Sequence, residues 1–561
     1  MPTNAESIVA VDPSDNVLQA LLERGRSRPS SPALTYRSGD SFATITAGEM
    51  VNRVRALAAG LVGAGVEAGD RVAIFSAARV EWPLLDYAIW QAGAVGVTIY
   101  ETSSPLQVEW ILANSGTVAV IAENADLLET VEGVRDKLPD LRHAWTIDDD
   151  GLAQLRALGE GVDSAQLDER AQTITHDGAA TLVYTSGTTG RPKGCVLTHL
   201  NLIWTIRQVM QSVPELVTDG NRTLSFLPLA HILARVVGLT AITSGVTVAF
   251  GGGIRTLLGD LADVQPTWLV VVPRVLEKVH DGAAQKAGTG AKRRIFDHAA
   301  DVARQVGEYQ MAGTRPPWHL QVAHKVADAL VYKTLRAAMG GQLKYVISGG
   351  APLHEDLARF FSGVGVQVLE GYGLTETTGP ATVHRVGASK PGTVGPPLPG
   401  VDVRISDDGE IQLTGPLVFK EYWENPEATA SEFEGDWFRT GDVGELDADG
   451  HLVITGRMKD LIVTAGGKNV APAVLETGLS ADPLVSHAVV IGNDRPFISA
   501  LLTLDVANLG LWANEHGRHV SSPGQLLEEL AGDPDLQEQL QKIVDSTNEQ
   551  VSRAEGIRSF R

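Results

Sequence analysis

The sequence predicts an α/β protein: a large N-terminal body of βαβ-built sheets with a β-rich section, then a small, mobile α+β C-terminal domain. Three observations carry that expectation. Short apolar runs alternate with helical stretches through the first part of the chain, the signature of βαβ units feeding a largely parallel sheet. After Gly392 the pattern changes to short alternating strands broken by Asp/Gly turns. Finally, 561 residues that are 43% apolar suffice for a large core with a satellite domain.

The elements follow in order. Thr46-Ala-Gly-Glu49 reads as a capping box, with Met50, Val54, Leu57 and Leu61 after it at helical spacing. Strand Arg71–Phe75 precedes a helix over Glu81–Ala92 and a strand over Gly96–Tyr100. A further helix–strand pair spans Gln107–Asn114 and Val118–Glu123. Val236–Ile254 is free of charge but rich in Gly, Ser and Thr, so it reads as a buried helix running into strand Val246–Phe250 rather than a membrane span. Beyond Gly392, strands are expected at Val401–Ile405, Glu410–Thr414, Val443–Asp447 and His451–Thr455. Asp533-Pro534 starts a last, polar helix with an apolar stripe of Leu536, Leu540, Ile543 and Val544. The division is expected near Gly456, giving a body of residues 1–456 and a mobile domain of 457–561.

Charge and cysteine content exclude several classes. Against 68 Asp and Glu stand 46 Lys and Arg, a net charge of −22, which argues against general nucleic-acid binding and a polybasic anchor. A single cysteine, Cys195, rules out an internal disulfide framework or a cysteine-rich metal site and fits a reducing cytoplasm. Met1–Asn16 shows no basic patch leading into an apolar run, so no signal peptide is read there. Peripheral contact with a membrane stays open if the substrate is apolar. No heptad seam indicates an oligomer.

Three segments carry chemistry. Tyr184-Thr-Ser-Gly-Thr-Thr-Gly-Arg-Pro-Lys-Gly194 follows an apolar strand and precedes a helix near Leu200. Its hydroxyls, backbone N–H groups and Lys193 are what a polyphosphate needs, although it lacks the Walker spacing and a plain Ser/Gly/Thr hairpin has the same composition. Ser348-Gly-Gly-Ala-Pro352 and Glu370-Gly-Tyr-Gly-Leu-Thr-Glu-Thr377 are small-residue turns after strands, open to close approach by a planar ring. There Tyr372 is placed to stack on a base, and Glu376 reads either as a magnesium ligand or as a solvated turn residue. The third segment comprises Trp437-Phe-Arg-Thr-Gly-Asp442, Gly456-Arg-Met-Lys-Asp460 and Gly466-Gly-Lys-Asn-Val470. Glu445, Asp447, Asp449 and Gly450 imitate a calcium loop whose last ligand position is Gly456, so Asp447–Gly450 reads as a hairpin turn. Metalloprotease, nucleophile-elbow and dinucleotide fingerprints are absent from the sequence. His231 is the one histidine that stands out, either structural or at a site.

Taken in order, these segments resemble the adenylate-forming acyl-CoA synthetase superfamily from near Asp15 to the end. Within it the chain is similar to bacterial long-chain fatty acid–CoA ligases, on the long helical insertion between Pro273 and Ser348 and the Gly466–Pro472 run. The resemblance implies two steps: a fatty acid carboxylate attacks the α-phosphate of ATP, then the thiol of CoA displaces AMP. It implies that Thr185, Ser186, Gly187, Thr188, Thr189, Gly190 and Lys193 hold the phosphates, with Thr185 and Glu376 on Mg2+. Gly350, Ala351, Glu370, Gly371 and Tyr372 would frame adenine, and Thr375 would touch the α-phosphate. Asp442 would accept the ribose hydroxyls beside Arg457, with Lys459 as hinge. Gly466, Gly467 and Lys468 would line the CoA tunnel, and His231 and Arg235 would gate the acyl channel. The family's adenylation lysine near the C-terminus has no match; Lys542 is the last lysine before Ile557-Arg-Ser-Phe-Arg561. The expectation is therefore impaired adenylation with thioester formation retained. An acyl-AMP ligase serving a carrier protein and a catalytically impaired acyl-adenylate sensor are the alternatives.

Overall fold

The computed structural model describes residues 9–185, 191–465, 469–518, 526–549, 551–553 and 555–561. The largest sheet has seven strands in the order Glu421–Tyr422, Lys193–Thr198, Ala179–Thr185, Val95–Ile99, Arg71–Phe75, Thr117–Ala122 and His143–Thr146. From Ala179–Thr185 onward these run parallel, and the first two strands add on antiparallel. Thr117–Ala122 and Val95–Ile99 are buried along their whole length, as parallel strands covered on both faces must be. Helices Glu81–Gln91 and Pro105–Ser115 connect them.

Thr46 is only half of the expected capping box. Its hydroxyl accepts from the Glu49 N–H, but the Glu49 carboxylate turns to Arg53, one helical turn on. Complete boxes stand instead at Ser104/Gln107 and Thr198/Asn201.

Two further four-stranded sheets complete the upper body. One orders Ser41–Thr46, Pro32–Ser38, Thr247–Phe250 and Arg222–Ser225; the other orders Trp268–Val271, Tyr345–Ser348, Gln367–Leu374 and Gly379–Val383. Helix Ile232–Ser244 ends at Gly245 in the left-handed region (φ 96°) and leads into Thr247–Phe250. The uncharged stretch is thus a buried helix plus strand, and among the described residues no helix is long and apolar enough to cross a membrane. The insertion folds as helices Pro273–Ala287, Ala291–Met311, Trp318–Ala327 and Lys333–Ala338.

The β-rich section contains Asp402–Ile405, Glu410–Thr414, Trp437–Leu446 and Leu452–Arg457. Strand Trp437–Leu446 begins six residues before the expected Val443 and takes in Thr440-Gly441-Asp442. Opposite Glu410–Gln412 the ladder passes from Val443 to Arg439 with a register shift, so Thr440–Asp442 bulge there, while Asp442 pairs on its other side with Arg457. In the Asp447–Gly450 turn, Asp447 Oδ1 accepts from the N–H groups of Asp449 and His451, and Lys390 Nζ bridges Asp447 and Asp449.

Leu452–Arg457 is the last strand of the body's sheets, so Arg457 belongs by pairing to the body side of the proposed 456/457 division. Beyond it, Val485–Ile491 pairs antiparallel with Ile498–Leu504, covered by helices Pro472–Ser480 and Pro534–Asn548 around a separate core. Asp533 caps the latter helix, and Leu536, Leu540, Ile543 and Val544 are buried in that core. The chain does not end on the helix: Ile557–Phe560 forms a parallel edge strand on Ile498–Leu504. Only Ile557 and Phe560 are apolar in it, too few to show a period.

Candidate active site

The phosphate-loop segment is a hairpin whose stems are held together. Thr185 closes one strand, Lys193 opens the next, and the two are direct cross-strand partners. Ser186, Gly187, Thr188, Thr189 and Gly190 lie outside the described residues. Lys193 Nζ sits 3.4 Å from a Glu432 oxygen and 4.6 Å from the centre of the Tyr422 ring. Tyr422 faces Cys195 across its own two-residue strand, and its hydroxyl donates to Glu376 Oε1 at 2.7 Å. Burial, followed by the Glu376 charge, drives the Tyr422 pKa far above the usual phenol range, so the hydroxyl stays a donor. Burial likewise holds the Cys195 thiol neutral.

Thr185, Lys193, Glu376 and Tyr422 therefore meet at one end of the seven-stranded sheet, where α/β sheets bind ligands. Among the described residues no group of three or more His, Cys, Asp and Glu encloses a metal. One carboxylate oriented by Tyr422 and one hydroxyl fit magnesium, which retains water and takes further oxygens from phosphate rather than from a protein cage.

The residues expected at the nucleoside lie on strand Gln367–Leu374, so Glu370–Leu374 is not the turn read from its small residues but a continuation of the strand, paired with Gly379–Val383. Tyr372 is 8% exposed, and its hydroxyl donates to Asp442 Oδ2 at 2.7 Å. Asp442 Oδ1 lies 3.0 Å from Arg457 Nε. Burial raises the Asp442 carboxyl above its usual range, against the pull of Tyr372 and Arg457. Glu370 is buried with Oε1 unpartnered; burial, then the nearby Glu355 charge, pushes its pKa up to about 8. At neutral pH it is largely a protonated acid, able to donate a hydrogen bond. Gly350, at φ 81°, makes a turn that side-chain-bearing residues resist, leaving Gly350 and Ala351 exposed beside this strand. Thr375 is half-buried in the turn after it.

A mostly apolar cavity of about 840 Å³, counting its mouth, runs from Gly350 and Tyr372 along helix Ile232–Ser244 to Thr240 and Trp268. His231 lines it and caps that helix, its Nδ1 accepting from the Leu233 N–H at 3.2 Å. Burial lowers the His231 pKa, so the ring is neutral; with Nδ1 accepting, its proton is assigned to Nε2.

Arg235 does not join His231 at this cavity. Its guanidinium makes two bonds to Asp86, at 2.7 and 2.9 Å, and one to Thr181 Oγ1 at 2.6 Å. Both ion-pair side chains are 2% exposed. The family resemblance placed both residues at the acyl channel; here His231 is the helix cap, with extended backbone (φ −87°, ψ 133°), while Arg235 is taken up by Asp86 and Thr181. Arg235 is a buried post between helix and sheet.

The segment expected to act as the hinge is tied to the body by the Met458 N–H donating to the Gly441 carbonyl at 2.8 Å. Lys459 follows two residues after Arg457. Gly466, Gly467 and Lys468 lie outside the described residues. Sequence reading missed Tyr422, Asp86 and Trp268: Asp86 and Trp268 are single residues in apolar runs, Tyr422 sits in a charged stretch, and folding alone brings each to its place.

Residues 21–423 match the family model described as AMP-binding enzyme, and residues 459–559 match the AMP-binding enzyme C-terminal domain. A long-chain-fatty-acid–CoA ligase, FadD15 of Mycobacterium bovis, is 46% identical over 550 residues, covering 98% of this chain and 91% of that protein. The long-chain-fatty-acid–CoA ligase ACSBG2 of Xenopus laevis is 30% identical, covering 94% and 76%. Among solved structures, a Mycobacterium tuberculosis fatty acyl CoA synthetase is 26% identical with a TM-score of 0.65, covering 97% and 93%. O-succinylbenzoate CoA synthetase from Bacillus subtilis with its acyl-adenylate, at 21% identity and a TM-score of 0.70 over 98% and 94%, shares the fold.

Proposed function

The chain belongs to the adenylate-forming AMP-binding enzymes, and from that premise we propose that it is a long-chain fatty acid–CoA ligase. The observation that carries the substrate class is the apolar cavity, which meets the nucleoside end at Gly350 and Tyr372. A long acyl chain lying in it brings its carboxylate to the α-phosphate. In the first step a carboxylate oxygen forms a bond to that phosphorus and pyrophosphate leaves; in the second the CoA sulfur bonds to the acyl carbon and AMP leaves.

Both steps ask for positioning and charge neutralisation more than for a protein nucleophile. Lys193 and the Thr185–Gly190 loop hold the phosphates, and Glu376, oriented by Tyr422, supplies a carboxylate oxygen for magnesium together with Thr185. Bound magnesium offsets phosphate charge. Glu370, Gly371, Gly350 and Ala351 frame the adenine, Asp442 accepts the ribose hydroxyls, and Thr375 faces the α-phosphate. His231 presents its Nε2–H at the acyl entrance, without Arg235. The domain beyond Arg457 turns about Lys459, bringing Gly466–Lys468 to the pantetheine of CoA. The cytoplasm, where ATP and CoA are supplied, completes the reading.

The test isolates the second step. Palmitoyl-adenylate and CoA are given to the purified chain and palmitoyl-CoA is followed by mass spectrometry. Thioester formed well above the uncatalysed rate is expected. Folded protein that yields none, or that acylates only a carrier protein, overturns the CoA-ligase reading.

A further inference from the structure

One face of the helical insertion has no protein partner. Helix Trp318–Ala327 turns Leu320 inward against Val302 and Val306 of the preceding long helix. Its other side carries Trp318, Val322 and Val326, and Leu330 continues the row; these are 77%, 55%, 56% and 60% exposed. Residues four apart stack along one helix face but drift forward at each step. The wider π turn at Asp328–Tyr332 offsets that drift and keeps Leu330 in line. A soluble surface seldom leaves four large apolar side chains in an uninterrupted row without a use for them.

Charge selects the occupant. Residues 313–336 carry Arg315, Lys325, Lys333 and Arg336 against a single acid, Asp328, in a chain whose net charge is −22. Arg336 pairs with Asp328, which leaves exposed Arg315, Lys325 and Lys333 with no opposing acid on this segment. An apolar row flanked by lysine and arginine, with a tryptophan at its start, has the makeup of a helix lying in the plane of a membrane interface. A second copy of the chain would set like cations against each other; anionic lipid headgroups neutralise them.

We propose that Trp318, Val322, Val326 and Leu330 form a docking face for an anionic bilayer surface, with Arg315, Lys325 and Lys333 meeting the headgroups. The enzyme then rests on the membrane without crossing it. This rests on the exposed face alone and not on the ligase reading, because lipid binding is measured with no acyl substrate present.

The test is cosedimentation of the full chain with vesicles of phosphatidylcholine alone or with phosphatidylglycerol added. The wild-type chain is expected to bind the anionic vesicles and to be released as salt rises. V326D/L330D, both changes at exposed positions, is expected to bind at least tenfold more weakly with unchanged circular dichroism and melting. K325E/K333E is expected to lose the preference for phosphatidylglycerol. No binding by the wild type at low salt, or equal binding by V326D/L330D, overturns the proposal. So does sedimentation velocity showing that V326D/L330D splits a dimer while lipid binding is unchanged, which assigns the face to a second copy.

Discussion

Arg235→Ala separates a structural post from an acyl gate. The guanidinium makes three hydrogen bonds, two to Asp86 and one to Thr181, in a site where both charges are 2% exposed. It also lies 5.7 Å from the Trp90 ring. Room for it depends on Gly96, where an added Cβ would stand 3.2 Å from Arg235 Nη2. Removing one partner of a buried pair leaves the other charge uncompensated and costs about 3–5 kcal/mol.

Asp86 has an escape, since burial already raises its pKa, and without Arg235 it takes up a proton. A carboxyl whose folded pKa is raised loses stability as pH climbs above the unfolded value. The deficit of Arg235→Ala is therefore larger at pH 8 than at pH 5. Urea midpoints read by tryptophan fluorescence measure it, and Asp86→Leu combined with Arg235→Met is expected to recover most of the loss. A deficit below about 1 kcal/mol at pH 8, below the range for breaking a buried pair, refutes the post, as does a double variant no better than the single one. Normal stability with a changed KM for the acyl substrate restores the gate.

Three further outcomes follow from the site. Trp268 begins its strand and pairs with Tyr345, while Ser348 ends the parallel neighbour, so Trp268 lines the cavity about 10 Å from the nucleoside end. Trp268→Ala should shift the preference of kcat/KM toward longer acids, by up to about fourfold per added methylene at ~0.8 kcal/mol each; an unchanged chain-length profile in folded protein counts against that geometry. Asp442→Asn removes a charged acceptor worth about 1.5–3 kcal/mol and should weaken AMP binding roughly ten- to a hundredfold by calorimetry. The Glu370 acid, with its pKa near 8, binds its proton more tightly folded than unfolded, so its contribution falls as pH rises from about 4.5 to 8. Glu370→Gln should flatten that part of the stability–pH curve; an identical slope in both proteins shows that Glu370 is ionised when folded.

What the sequence made legible is what periodicity and local composition encode. The parallel strands read as apolar runs, most of the helix and strand at Ile232–Phe250 as the uncharged segment Val236–Ile254, and the last helix as a stripe of Leu536, Leu540, Ile543 and Val544. The phosphate stem, the Glu370–Thr377 segment and Asp442 read as motifs because each packs several chemical groups into a few residues, although Glu370–Leu374 proved to be strand rather than turn. What was not legible depends on distance in sequence. Tyr422 reaches Glu376 from 46 positions away, and Arg235 reaches Asp86 from 149; no local pattern marks such pairs. Arg235 was placed at the acyl channel by resemblance alone, and nothing in its local sequence marks Asp86 as its partner.

In the proposed function, the Asp442 carboxylate is the group at which nucleotide binding and domain movement meet. Its two oxygens are held by unequal partners: Tyr372, 8% exposed and locked in the core, and Arg457, whose side chain is 56% exposed. A ribose diol approaching Asp442 displaces the exposed partner more cheaply, because Arg457 regains water while Tyr372 would lose a buried bond. Arg457 ends the body's last strand, two residues before Lys459. If the small domain turns about Lys459 as proposed, releasing the Arg457 side chain from Asp442 removes one tie at the base of that turn while the strand pairing of the two residues stays. The bond from Met458 to Gly441, on the strand that bears Asp442, keeps the pivot in place while the side chain above it changes partners.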